Sequence, residues 1–199
     1  MAKDKITRDM AFVDTGIEGV KVFEPRVFGD ERGYFFESFN QKAFSAAGIN
    51  DIFVQDNQSK STRGVLRGLH YQRGEWAQSK LVRVLSGEVL DVIVDIRENS
   101  PTFGKHFSII LSEDNQKQLY VPRGFAHGFV VLSETATFFY KCDNFYNKAS
   151  EGGIQFDDPT LNIDWQIDST QIQLSDKDGI LPHLGAHLSS GIRFKQNDK

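Results

Sequence analysis

His70 and Lys80 lie within one stretch of this chain, which opens Gly64-Val65-Leu66-Arg67-Gly68-Leu69-His70 and closes at Gly87. A second histidine, His127, ends the pattern Pro122-x-Gly124-x-x-His127. Histidine has a reference pKa of about 6.5, so it is neutral and basic near pH 7. A lysine beside it supplies a fixed positive charge. Together they suit one kind of chemistry: taking a proton from a carbon next to a ketone needs a base for the proton and a cation for the enolate oxygen. The lysine also discourages protonation of the histidine, so the pair calls for a carboxylate to orient and balance the ring. His127 is placed to line the same pocket.

The elements that would hold these residues read as many short strands. Gly19 to Phe23 starts the series, a turn follows over Phe28 to Gly33, and Tyr34 to Phe39 reads as the next strand. Gln41 to Ala47, closed by Gly48, reads as a helix. Lys80 to Leu85, Ser86-Gly87 and Glu88 to Ile96 read as a hairpin, the Ser-Gly pair supplying the turn. Phe107 to Leu111, Gln118 to Val121, His127 to Leu132 and Thr135 to Tyr140 complete the set. Such a pattern predicts a mainly β fold, a sandwich or small barrel with a few short peripheral helices. The expected layout is a single domain over 1–199: a barrel core over about 18–147, C-terminal loops and short helices over about 148–188, and a polar tail from 189 to 199.

Composition narrows the function. Seventeen Phe against two Trp and two Met favour pleated, half-buried surfaces. A net charge of -4 argues against a nucleic-acid surface, yet a few local Arg and Lys can still hold a phosphate. A single cysteine, Cys142, excludes an internal disulfide and a cysteine-based zinc site, and it reads as a buried apolar filler. No apolar stretch approaches the roughly 20 residues that span a bilayer, and the N-terminus carries no signal-peptide pattern. The expectation is a cytoplasmic protein. Asp95 and Arg97 read as a structural ion pair, and Asp91 as either a pocket wall or part of a polar strand face. Arg67, set between Leu66 and Leu69, predicts an anionic ligand or a buried partner.

The two histidine segments are similar to those of a cupin, a double-sheet jelly-roll barrel. In metal-binding cupins the first segment supplies two histidines one residue apart and a glutamate seven residues before the closing glycine. Here those positions are His70, Gln72 and Lys80. An ammonium repels a divalent cation and cannot ligate it, so the expectation is no metal and no other cofactor.

Several further motifs resemble one family. These are Gly29-Asp30-Glu31-Arg32-Gly33 with Phe35, Phe36 and Glu37; Gln55-Asp56-Asn57; Gly64 to His70; Asp95-Ile96-Arg97 with Ser100 to Gly104; and Gly124 to Phe129. In this order, over roughly residues 18 to 182, they resemble the dTDP-4-dehydrorhamnose 3,5-epimerases. The resemblance implies a homodimeric cupin that inverts C3 and C5 of dTDP-4-keto-6-deoxyglucose. It implies His70 as base paired with Asp178, Lys80 beside the enolate oxygen, and Tyr140 as acid on the opposite sugar face. Arg32, Arg67 and Lys177 match positions that hold the diphosphate, and Phe35 and Glu37 those that hold the thymine. Gln55, Asn57 and Tyr146 match walls around the ligand. A C3-only or C5-only epimerase is the nearest alternative; a metal-dependent or non-catalytic cupin fits these residues less well. One departure is Gln166, where proline is expected.

Overall fold

The structure, a computed structural model, describes residues 10–186; the polar tail expected over 189–199 lies outside them. Strands β1 (Ala11–Asp14) and β2 (Lys21–Glu24) precede a small hairpin of β3 (Phe28–Asp30) and β4 (Gly33–Phe35), then helix α1 (Gln41–Ala46). Eight strands follow: β5 (Gln55–Thr62), β6 (Leu66–Gln72), β7 (Lys80–Ser86), β8 (Glu88–Asp95), β9 (His106–Ser112), β10 (Gln118–Val121), β11 (Phe125–Val131) and β12 (Thr135–Cys142). A short β13 (Glu151–Gly153) closes the set.

Two sheets result. One has the order β1-β2-β10-β7-β12-β5 and the other β13-β6-β11-β8-β9. Strands β5 to β12 are shared between them four and four, which makes a jelly roll whose two sheets face each other. Three apolar clusters hold it. Val82, Val84, Ile93, Leu119, Phe129 and Phe138 pack between the sheets. Leu66, Leu90, Val92 and Val130 lie on the outer face of the five-stranded sheet under Ile154, Leu161 and Trp165. Phe23, Leu81 and Tyr120 lie outside the six-stranded sheet under Phe44 and Ile49, the first of which is on α1. Asn40 caps that helix, its side chain accepting from Lys42 N and Ala43 N, as its residue type favours.

The structure corrects two local readings. Lys80 to Ile96 is not a hairpin: β7 pairs with β10 and β12, whereas β8 pairs with β11 and β9. The chain turns a corner between sheets at Gly87, with φ +80, where an added Cβ would lie 2.1 Å from Thr135 O. The turn residue was right, but both flanking strands bury apolar side chains against different layers. Tyr34 to Phe39 is strand only as far as Phe35.

Candidate active site

A cavity of about 380 Å³ opens between the sheets, lined by Asn57, Arg67, His70, Lys80, His127 and Tyr140 among others. An adjoining lobe of about 230 Å³ shares His70, Lys80 and Tyr140 and adds Gln55, Tyr146 and Glu151. A larger cleft, about 490 Å³, lies by Glu24, Tyr34 and Lys117, away from this chemistry.

An irregularity in β6 brings the key side chains inward. In a regular strand, residues three apart point to opposite faces. Yet Arg67 and His70 both line the cavity, while Leu66 and Leu69 both pack in the outer cluster. The break falls at Gly68, φ +124, opposite a register shift in β11 between His127 and Phe129. A Cβ on Gly68 would sit 2.6 Å from Gly128 Cα, so two glycines let the strands close over this bulge.

His70 Nε2 lies 2.6 Å from Asp178 Oδ1. Asp178 is buried at 4% exposure and comes from the short turn Asp178–Ile180, far along the chain. Burial alone would raise its carboxyl. The hydrogen bond and charge of His70, with Ser175 and Lys177, more than offset this and hold it below the usual carboxylate range. Lys80, on the facing sheet, is lowered from its ordinary value chiefly by burial, which the charges of Asp91 and Glu151 only partly counter. Its Nζ lies 5.9 Å from the centre of the Tyr140 ring. Burial, first, and the nearby Cys142 and Glu151 raise the Tyr140 phenol despite Arg67. Cys142 is pushed up to about 11, mainly by burial, so near neutrality it is an uncharged thiol.

His127 lines the cavity, and its Nε2 lies 2.9 Å from Asp91 Oδ2, both groups buried. Asp91 therefore lies between the sheets and not on an outer polar face. Gln55 Nε2 donates to Asn57 Oδ1 at 3.1 Å, and Tyr146 N donates to Gln55 Oε1 at 3.2 Å. Lys177 pairs with Glu151, whose second oxygen accepts from the Tyr146 hydroxyl at 3.1 Å. Glu151 is the residue the sequence did not single out; it sits in a polar stretch with no pattern to mark it. Arg67 is exposed at the cavity wall, and its guanidinium donates to Oγ of the buried Ser61 at 3.1 and 3.2 Å.

Arg32, Phe35 and Glu37 are not brought to this cavity. They lie on or just after the β3–β4 hairpin, where Arg32 pairs with Asp30 at 2.6 Å and Phe35 is 70% exposed. Asp95 and Arg97 form the expected pair, with Nη2 to Oδ2 at 2.7 Å, and Ser100 and Thr102 also donate to Asp95. Gln166 has φ +54, which a proline ring forbids.

The donor set does not suit a metal. Gln72 donates to Trp76 O and Phe145 O and accepts from Asn147 N, so its amide is spent on backbone. Among the described residues no three His, Cys, Asp or Glu side chains converge on one point. One cavity thus brings together a carboxylate-bound histidine, a half-buried lysine and a tyrosine.

Comparison with known proteins gives the family. The chain matches the dTDP-4-dehydrorhamnose 3,5-epimerase family over residues 14–186 and belongs to it; its members are isomerases. It is 58% identical over 170 residues to the dTDP-4-dehydrorhamnose 3,5-epimerase of Shigella flexneri, covering 85% of this chain and 93% of that one. A crystal structure of dTDP-6-deoxy-D-glucose-3,5-epimerase from Legionella pneumophila, in complex with dTDP-4-keto-L-rhamnose, is 49% identical with a TM-score of 0.89, covering 94% of this chain and all of that one. A 3′-monoepimerase from Streptomyces bikiniensis, in complex with dTDP, is 32% identical with a TM-score of 0.85, covering 92% of each.

Proposed function

We propose that this chain inverts C3 and C5 of dTDP-4-keto-6-deoxyglucose, giving dTDP-4-keto-L-rhamnose for dTDP-L-rhamnose biosynthesis. The observation that carries the reading is the His70–Asp178 pair, at 2.6 Å, on one sheet's side of the cavity, with Lys80 and Tyr140 on strands of the other sheet. With Asp178 ionised, His70 Nε2–H donates to it, which leaves the other ring nitrogen as the base. That nitrogen takes the proton beside the C4 ketone. The C–H electron pair moves into the enolate, and the Lys80 ammonium stabilises its oxygen. Tyr140, kept protonated near neutrality by its raised phenol, returns a proton to the opposite face. Its phenolate and the His70 imidazolium then exchange protons with solvent, so the residues are restored. A lone base returns the proton to the face it left; inversion needs two groups facing each other.

Lys177 and Arg67, at the cavity wall, suit the diphosphate, and Gln55, Asn57, His127 and Tyr146 the sugar and its linkage. Arg32, Phe35 and Glu37 are assigned to the cavity of a second copy in a homodimer. The exposure of Phe35, Tyr34 and Phe28 on that hairpin supports this, because a bare aromatic cluster marks an interaction site. No helix among the described residues is long and apolar enough to cross a membrane, and Cys142 is a free buried thiol; both accord with a cytoplasmic setting. The alternative, inversion at a single carbon, draws on the likeness to the 3′-monoepimerase, which is less close than that to the two 3,5-epimerases described above. The test of the base is His70→Asn: turnover disappears while dTDP still binds. Retained turnover removes His70 from the role.

A further inference from the structure

Asp178 and Lys177 reach the cavity on a strap that belongs to neither sheet. Its near end is stitched to β6 and the turn before it: Leu66 N donates to Gln173 O at 3.0 Å, and Gln173 N donates to Gly64 O at 2.9 Å. In the middle, Asp178 N and Gly179 N donate to Ser175 O at 3.0 and 3.1 Å. At the far end Gln155 N donates to Pro182 O at 2.9 Å. Leu184 N donates to Asp158 Oδ2 at 2.5 Å, and His183 Nδ1 is 3.4 Å from the same oxygen. The other oxygen of Asp158 accepts from Thr160 N and Leu161 N at 2.7 and 3.3 Å.

Two features tie this far anchor to the chemistry. Asp158 is only 1% exposed, and a buried carboxylate is retained at a cost unless its oxygens are satisfied; here they are satisfied by both walls of the clasp. Leu181, between the clasp and Asp178, seats on Gly153: a Cβ there would lie 2.7 Å from both Leu181 methyls. Gly153 is the register partner of His70. The strap is thus fixed against the residue beside the base. A hydrogen bond at 2.6 Å is lost if its partner retreats by an ångström or so.

We propose that Asp158 is a positioning residue of the proton-transfer site: it pins the far end of the strap and so sets Asp178 against His70, without touching substrate. The proposal rests on His70 being the base.

The test is Asp158→Asn. Asparagine keeps the shape but has one acceptor oxygen, so an amide N–H faces N–H donors on one side of the clasp, whichever way it turns. We expect kcat to fall roughly 10- to 100-fold, the range for a misplacement of about an ångström. The acid limb of kcat/KM moves in the direction that Asp178→Asn moves it. In an Asp178→Asn background the added loss is under about threefold, because the strap has nothing left to position. Leu181→Ala gives the same pattern and decides the matter if Asp158→Asn does not fold. Turnover within about twofold of the unaltered protein in folded Asp158→Asn, or in Leu181→Ala where Asp158→Asn does not fold, overturns the proposal, as does a loss that multiplies fully with Asp178→Asn. His70→Asn, run alongside, separates the two levels. If it retains turnover, the base assignment falls and the proposal with it; if it is inactive while the strap variants are normal, only the proposal falls.

Discussion

Replacing Asp178 with asparagine perturbs the site at its shortest contact. The carboxylate lies 2.6 Å from His70 Nε2 and is almost fully buried. In the transition state the ring gains a proton, so the carboxylate becomes the counter-charge of an imidazolium. Loss of a hydrogen bond to a charged group costs about 1.5–3 kcal/mol. Loss of the whole charge pair, at an effective dielectric of about 20, costs about 6 kcal/mol. At about 1.4 kcal/mol per tenfold in rate, these bracket a fall of about 10-fold to about 10⁴-fold. Asparagine also offers the ring a donor or an acceptor with equal ease, so the tautomer is no longer fixed, which places the expected loss in the upper half of that range. The assay is steady-state turnover of dTDP-4-keto-6-deoxyglucose, with dTDP affinity measured on the same preparation. Affinity stays within a few-fold while kcat collapses. A folded Asp178→Asn protein with kcat within threefold of the unaltered enzyme refutes the reasoning.

Lys80→Met removes the cation at the enolate and lowers kcat roughly 10²–10³-fold, the scale of one lost oxyanion donor, with dTDP binding little changed by isothermal titration. In the unaltered enzyme the burial-lowered Lys80 must stay protonated, so activity is lost as pH rises through a value below lysine's usual one; a pH–rate profile flat past that usual value contradicts this. Tyr140→Phe removes the opposite-face acid, so hydrogen at the reacting carbons still exchanges with solvent while inversion slows by orders of magnitude; loss of exchange and inversion in step counts against Tyr140. Gly68→Ala forces a side chain into a left-handed position 2.6 Å from Gly128 Cα. It lowers stability by about 1–3 kcal/mol or more, read as a drop of several degrees in the melting temperature.

The helix at Gln41 and most strands of the jelly roll were legible because apolar residues alternate or run continuously in them. Strand β5 was not. Gln55-Asp56-Asn57-Gln58-Ser59-Lys60-Ser61-Thr62 has no apolar residue, yet its exposure alternates along the strand. Its inward residues face a polar cavity and not a core, so the hydrophobic signal that marks a half-buried strand is missing. Strand β6 was hidden by its glycine bulge, which breaks the period of two. The pairing of β7 and β8 was misread because Ser86-Gly87 fits a hairpin turn and a corner between sheets equally well. In the site, His70 and Lys80 were legible from their spacing, and Asp178 through the family likeness alone. Its contact with His70 spans 108 residues and no local pattern announces it. Glu151 and Asp158 are visible only once the C-terminal segment is seen folded across the sheet.

The measurement that tests the central claim most directly is conversion of dTDP-4-keto-6-deoxyglucose in D₂O, followed by NMR. Proton transfer at both carbons predicts deuterium at C3 and C5 of an inverted product, with label at neither carbon when His70→Asn is used. Label confined to one carbon, or inversion with no solvent deuterium at all, contradicts the account.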